Sequence, residues 1–180
     1  MPTITPTKSY VTEFEGIDIA VGFKSYEEIK DYLGMQDEEE LKYDIALVDI
    51  DKVEGINNFN IANCEKKYFV TSFDLYYLKK GLEILDEIVE PINLTKVLFT
   101  KDILKEENDY LDFLSLGKKV IWNEEYIVYL PIDSGDQSII IENQRVEKMV
   151  IRKLSSQYKE SLYYIVEDIV GGEINSRRDK

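Results

Sequence analysis

Histidine is absent from this chain of 180 residues, and cysteine occurs once, as Cys64. The first absence excludes imidazole metal ligands and every catalytic arrangement that uses histidine as its general base. A single cysteine excludes an intrachain disulfide and thiolate zinc sites, and it favours a reducing compartment, so we expect a cytoplasmic protein. Carboxylates with a hard cation such as Mg²⁺, or chemistry assisted by the substrate itself, are the remaining catalytic options.

Positive charge and long apolar runs are also scarce. The chain has 22 Lys and Arg residues against 36 Asp and Glu, which gives a formal net charge of −14. Such a balance repels phosphate backbones and anionic membranes. The only dense basic group, Arg177-Arg178 with Lys180, is interpreted as part of a solvated, disordered tail at residues 173–180. No apolar run has the length that spans a membrane. We therefore expect neither nucleic-acid binding nor direct membrane insertion.

Hydrophobic periodicity predicts strands that alternate with helices. Strands are predicted at residues 17–23, 43–50, 67–71 and 94–99, and at 119–122 and 126–130 with a tight polar turn between them. Helices are predicted after Ser25, after a cap at Thr71 or Ser72, and at residues 102–116. A last helix is predicted from a start between residues 142 and 156 up to Gly171-Gly172, and residues 131–136 are predicted as a loop. This order is typical of βαβ units. We predict one α/β domain at residues 17–172, a three-layer sandwich with a mostly parallel, Rossmann-like sheet flanked by helices, after a loose lead-in at residues 1–16.

The strongest single signal is Tyr43-Asp44-Ile45-Ala46-Leu47-Val48-Asp49-Ile50-Asp51. A nearly continuous apolar run predicts a strand buried on both faces. Asp49 and Asp51 stand at its end, where open α/β sheets bind ligands. Two interpretations stay open: the two carboxylates hold Mg²⁺, or they cap a turn and face solvent. The second is simpler, so the sequence assigns no metal and no cofactor, and Asp49 and Asp51 stay weak magnesium candidates.

Short phrases in this order resemble a known family. Tyr43–Asp49 resembles a Walker B strand, Phe69-Val70-Thr71 resembles the strand that follows it, and Tyr129-Leu130-Pro131-Ile132-Asp133 resembles a hydrophobic-Pro-x-Asp phrase near the nucleotide. With the order of elements from residue 17 to 172, they resemble the ParA/MinD superfamily of ATPases, in particular the TadZ/CpaE-like proteins that position pili and secretion machines. Where that family has an Asn that contacts the base, this chain has Thr100 or Lys101.

One departure from the family is decisive for the expected activity. The family binds phosphates through a Gly-rich loop with Lys and Ser or Thr between its first strand and helix, where backbone N–H groups and an ammonium offset the phosphate charges. The nearest segment here is Gly22-Phe23-Lys24-Ser25, which is too short to wrap a phosphate. We interpret it as an ordinary turn in which Ser25 caps a helix. The resemblance then implies a fold kept without ATP hydrolysis, or a fragment without the ATP-binding start.

Two further interpretations compete with this one. In an atypical receiver-like signalling module, Asp49 would be a vestigial phosphoacceptor, with Thr71 and Lys101 at the next strand ends; the acidic pair that binds magnesium in such modules is missing. In a magnesium-dependent enzyme, Asp49 and Asp51 would be the ligands, and this is the least favoured of the three.

Aromatic residues suggest how the chain acts. It has 13 tyrosines, most of them at core spacing, but Tyr76-Tyr77 and Tyr163-Tyr164 are neighbours on predicted helices, so one of each pair should be exposed and available to a protein interface. The leading hypothesis is a non-catalytic, ParA/MinD-like scaffold or regulator that acts through protein contacts. The resemblance implies pairing with itself or with an active ATPase relative, in a pilus, secretion, conjugation or partition system.

Overall fold

The computed structural model describes residues 8–35, 43–100, 105–131 and 133–171. The chain divides into two compact units, Met1–Asn63 and Cys64–Lys180. We describe each by itself.

The first unit contains a hairpin and two short helices. Strands β1 (Tyr10–Phe14) and β2 (Ile17–Val21) pair antiparallel across a turn at Glu15-Gly16, where both residues have positive φ. Residues 10–14 were expected in a loose lead-in; they form β1 because β2 offers them a hydrogen-bonding partner. The hairpin is followed by helix α1 (Tyr26–Leu33), helix α2 (Val53–Asn58) and a 3-10 turn (Ile61–Asn63).

Helix α1 confirms a local prediction. The Ser25 side chain accepts a hydrogen bond from the Glu28 backbone N–H at 3.3 Å, and the Glu28 carboxylate accepts one from the Lys24 N–H at 2.8 Å. Gly34 ends the helix at φ 68°, a left-handed conformation that glycine adopts without steric cost. The segment Gly22–Ser25 is therefore the helix-capping turn that the sequence indicates.

The predicted strand at residues 43–50 is wrong. These residues form no strand, every side chain from Tyr43 to Asp49 is exposed, and Leu47 keeps 79% of its surface in solvent. A strand needs a neighbour for its backbone groups, and in this unit β1 and β2 pair with each other. The buried, nearly continuous apolar strand exists elsewhere in the chain, in the second unit.

The second unit contains a parallel sheet flanked by helices, which confirms the coarser part of the predicted fold class. Its strands are β3 (Tyr68–Ser72), β4 (Ile92–Thr100) and β5 (Val120–Pro131), in the order β3-β4-β5. Its helices are α3 (Leu75–Asp86), α4 (Lys105–Leu114), α5 (Ser134–Val146) and α6 (Ser156–Ile169), with a 3-10 turn at Ile151–Lys153 before α6. No described helix of the chain is both long and apolar enough to cross a bilayer.

Strand β4 lies in the middle of this sheet and provides much of the core. Seven of its nine residues are buried, as expected for a parallel strand that is covered on both faces. Val97 packs with Val128 and Leu130 of β5 and with Tyr158 of α6, whereas the neighbouring Lys96 contacts α4. Alternate residues of β4 thus meet different helices.

Strand β5 is continuous but irregular. The sequence predicts two strands with a turn between them, and the structure has one strand whose register to β4 changes: Leu94 is opposite Trp122, and Lys96 is opposite Ile127. A step of two residues along β4, from Leu94 to Lys96, therefore corresponds to a step of five along β5, from Trp122 to Ile127. The extra residues lie within 123–126 and form a large bulge. The polar segment was correctly located but does not end the strand.

The region before α6 differs from the prediction as well. Residues 133–136 were expected in a loop, but α5 starts at Ser134, since Asp133 accepts a hydrogen bond from the Asp136 N–H at 2.7 Å and caps the helix. The Asp136 carboxylate is buried and accepts hydrogen bonds from the backbone N–H and the hydroxyl of Ser155, both at 2.6 Å. A carboxylate near the start of α5 thereby holds the N-cap of α6.

Candidate functional site

The structure does not bring the predicted acidic pair into a site. Asp49 and Asp51 lie in the first unit, just before α2, and both are exposed. Within the described ranges, no three His, Cys, Asp or Glu side chains converge as metal ligands. The clearest side-chain contact in this segment is made by Tyr43, whose hydroxyl donates to Asp18 Oδ2 at 2.7 Å. That hydrogen bond raises the pKa of the Tyr43 hydroxyl.

The three residues of the receiver-like alternative belong to different parts of the chain. Asp49 belongs to the first unit, and Thr71 is buried in β3 of the second, where its hydroxyl donates to the Ser72 carbonyl oxygen at 3.0 Å. Lys101 and Ile132, which belongs to the Pro-x-Asp phrase, lie outside the described residues.

A groove lies between β5 and α6 in the second unit. Its volume is about 280 Å³. Five consecutive residues of β5, from Glu125 to Tyr129, form one wall, and the other wall comes from α6. Glu125 and Tyr126 belong to the bulge, and the three residues that follow them are paired with β4. Among the described strands, β5 is the last of its sheet, so its outer edge has no strand beside it.

The α6 wall consists of Gln157, Glu160, Ser161 and Tyr164. A second, shallower depression of about 530 Å³ continues along the same helix; it shares Glu160 and Tyr164 and adds Ser156, Lys159, Tyr163 and Glu167. The surface that we call the β5–α6 groove comprises both depressions.

Hydrogen bonds between side chains and backbone hold the two walls together. The Ser161 hydroxyl lies 2.6 Å from the Tyr129 carbonyl oxygen and 3.1 Å from that of Gln157, so α6 supplies a donor to the outer strand. The Tyr126 hydroxyl donates to the carbonyl oxygen of Tyr164. Because these contacts join the helix to the strand at two levels, the width of the groove is set before any ligand arrives.

The far end of α6 is held by a clamp that we define as Lys66, Tyr68 and Asp168. The Asp168 carboxylate accepts from the Lys66 ammonium and from the Tyr68 hydroxyl, each at 2.6 Å. Burial raises the pKa of Asp168, but the hydrogen bonds from Lys66 and Tyr68 and the Lys66 charge outweigh it, so the pKa is lowered. Burial, followed by the hydrogen bond to Asp168, raises the pKa of Tyr68. The clamp fixes α6 to the start of β3.

Negative charge surrounds the tyrosines of the groove. Burial raises the pKa of Tyr126, and the charges of Asp168 and Glu167 raise it further. Burial also raises the pKa of Tyr129, with added contributions from Asp109 and Asp112. Each additional anion disfavours a tyrosinate because like charges repel. The anions near Tyr126 belong to α6, whereas those near Tyr129 belong to α4.

A buried polar network supports β5 next to its bulge. The Lys96 side chain is 1% exposed; its ammonium pairs with Asp112, donates to Asn108 Oδ1 at 2.8 Å and lies 5.1 Å from the ring centroid of Trp122. Trp122 in turn donates from Nε1 to the Ser115 hydroxyl at 2.8 Å. All of these polar groups have partners, so the network is interpreted as structural.

Both tyrosines of each pair are exposed, whereas the sequence predicts at least one exposed tyrosine in each pair. Tyr76 and Tyr77 are 73% and 61% exposed at the start of α3, and Tyr163 and Tyr164 are 51% and 48% exposed on α6. Both pairs were expected to offer an exposed tyrosine, but Tyr126, Glu125 and Glu160 were not predicted, and Tyr129 was named only within the Pro-x-Asp phrase. The adjacent tyrosines of α6 are the one sequence feature that indicates this site. The sequence does not indicate which strand lies beside α6, because that depends on tertiary packing.

Comparisons of the chain with family models, curated proteins and solved structures gave no match. The fold and the site themselves define an α/β protein with a three-stranded parallel sheet and an aromatic, acidic groove at the edge of that sheet.

Proposed function

We propose that this chain is a non-catalytic scaffold or regulatory protein that binds a protein partner through the β5–α6 groove. The observation that supports this most is the combination of an outer strand edge with exposed tyrosines beside it. Tyrosine buries a large, rigid surface and keeps a polar end for hydrogen bonding, so it is enriched where proteins bind each other.

The ParA/MinD-like character of the chain belongs to the same proposal. It gives the setting, a cytoplasmic pilus, secretion, conjugation or partition system, and two partner types, a second copy of the chain or an active ATPase relative. The non-catalytic part is tested by calorimetry with ATP and Mg²⁺. We expect no heat of binding, and a micromolar affinity would refute it.

Site-specific photo-crosslinking tests the groove as the binding surface. Benzoylphenylalanine is placed at Gln157, which is exposed and lines the groove, and in a control at Lys148, which is exposed just after α5. In the native cell, we expect one partner to crosslink from position 157, not from 148, and to be lost when Tyr164→Ala is added. Equal crosslinking from both positions would refute the groove as the binding surface.

A further inference from the structure

The β5–α6 groove carries an excess of negative charge at its rim. Glu125 of β5 and Glu160 of α6 are exposed at the first depression, and Glu167 belongs to its continuation, where Lys159 is the one cation among the lining residues. The nearby Lys66 already pairs with Asp168. The formal net charge of the chain, −14, has the same sign. An anionic ligand is therefore repelled both by the rim and by the whole molecule.

Aromatic side chains lie between these carboxylates. Tyr126 and Tyr164 line the groove together with Glu125 and Glu160, and Tyr129 contributes its carbonyl oxygen, which accepts from Ser161. The face of a tyrosine ring attracts a cation, and a carboxylate beside it accepts hydrogen bonds from the same group. A guanidinium satisfies both at once because it is planar, weakly hydrated and presents donors along its edges.

The strand edge selects the shape of the ligand. The groove follows five consecutive residues of β5, and no described strand pairs with that edge. An extended segment fits such an edge because alternate side chains can enter the groove while its backbone pairs with outward groups of the strand. The Tyr129 carbonyl oxygen is excluded from that pairing because it already accepts from Ser161. A second copy of this chain suits the edge less well, since it would bring a further formal net charge of −14 and a second set of rim carboxylates.

We propose that the β5–α6 groove binds an extended, basic segment of a partner protein and receives its arginine side chains between Tyr126 and Tyr164, with Glu125 and Glu160 as the counter-charges. This inference rests on the proposed function and adds the chemical class of the partner. The contacts from Ser161 and Tyr126 that join the two walls reduce the ordering cost of binding, since the groove is formed in advance.

The test uses the full chain and two labelled peptides at physiological salt. The first peptide alternates Arg and Val over ten residues; the second has citrulline, the neutral isostere, at every Arg position. Fluorescence anisotropy should show at least tenfold weaker binding of the citrulline peptide. A citrulline peptide that binds equally well would overturn the proposal.

Matched variants separate the groove from general attraction to an acidic protein. Glu160→Gln should weaken binding of the Arg peptide about tenfold, whereas Glu90→Gln, which removes the same charge at an exposed position outside the groove, should change it less than twofold. Tyr164→Ala is compared in the same way with Tyr76→Ala, at the other exposed tyrosine pair. Equal losses in a groove variant and its control would overturn the proposal.

The remaining outcomes distinguish this inference from the proposed function. If the Arg peptide does not bind but Gln157 still crosslinks to a partner that depends on Tyr164, the basic-segment inference fails and the proposed function stands. If sedimentation shows a dimer that Glu160→Gln or Tyr164→Ala dissociates, the occupant is a second copy and the inference is overturned.

Discussion

The two units of this chain use apolar residues in opposite ways. In the first unit, Ile56 is the one buried hydrophobic side chain among the described residues, and Ile17, Tyr43 and Leu47 are about half exposed or more. In the second unit, β4 alone buries Ile92, Leu94, Val97 and Leu98. A two-stranded hairpin has no second layer to cover it, whereas a parallel sheet flanked by helices does. The comparison shows that apolar composition predicts burial only where the topology supplies a covering element.

Truncation of one leucine in each unit should show the largest difference. Leu98 is fully buried in β4 and Leu47 is 79% exposed. Leu98→Ala should lower the free energy of unfolding by about 3–4 kcal/mol, because it leaves a cavity in a packed core. Leu47→Ala should change it by less than about 0.5 kcal/mol. Urea unfolding followed by far-UV circular dichroism measures both, and Trp122, the only tryptophan, reports on the second unit alone. Similar losses would remove the contrast between the units.

The buried ammonium of Lys96 should respond asymmetrically to mutation. Asp112→Ala leaves that ammonium with Asn108 and Trp122 as its remaining partners and should cost about 3 kcal/mol. Lys96→Met should cost about 1 kcal/mol or less, because the partly exposed Asp112 can be hydrated and the methionine fills the space. The control is Glu142→Ala, which breaks an exposed pair with Arg145 and should cost less than about 1 kcal/mol. A larger loss in Lys96→Met than in Asp112→Ala would contradict this interpretation.

In each unit a described tyrosine donates to an aspartate, which allows a matched pair of variants. Tyr68 donates to Asp168 at 2.6 Å in a partly buried clamp, and Tyr43 donates to Asp18 at 2.7 Å at the surface. Tyr68→Phe should lower the free energy of unfolding by about 1 kcal/mol, since a part-buried carboxylate loses a donor. Tyr43→Phe should leave thermal unfolding unchanged, because water replaces the donor. A destabilising Tyr43→Phe would show that surface contacts order the first unit.

The clamp should also make the free energy of unfolding depend on pH. Of the four effects predicted here for stability, we expect this one to be the smallest. The pKa of Asp168 is lower in the folded protein than its ordinary value of 3.8. The ionised carboxylate therefore stabilises the fold above that value, and the contribution is lost as the pH falls through the folded-state pKa. Between about pH 4 and pH 2, wild type should lose stability more steeply than Asp168→Asn, as measured by urea unfolding at each pH. Parallel curves would exclude Asp168 as a source of acid sensitivity.

The sequence predicts those features that depend on neighbouring residues. Ser25 caps α1 as expected, and Gly34 ends the helix, because a cap and a left-handed stop are local properties. The strands near residues 67–71 and 94–99 are also confirmed as β3 and β4. Residues 43–50 were assigned wrongly because burial on both faces is a tertiary property. Lys96 interrupts the apolar run of β4. The sequence alone does not show that Asp112 neutralises its charge and that Asn108 accepts a hydrogen bond from it.

The candidate site was only partly predictable for the same reason. Tyr163-Tyr164 stood out as neighbours on one helix, and the structure exposes both. The strand that faces them is separated by more than thirty residues from that pair, and α5, which the sequence analysis missed, lies between the two along the chain. No local pattern specifies that Tyr126 and Tyr129 meet α6.

The change of register in β5 has a practical consequence for engineering. Residues 120–122 and 127–131 are each paired with β4 on their own, so the exposed Asn123 and Glu124 between them contribute nothing to the ladder. Extra residues placed there extend the bulge without shifting either paired half. The position between Asn123 and Glu124 is therefore suited to a short epitope or a fluorophore-binding tag inside the second unit, leaving both termini of the chain unmodified.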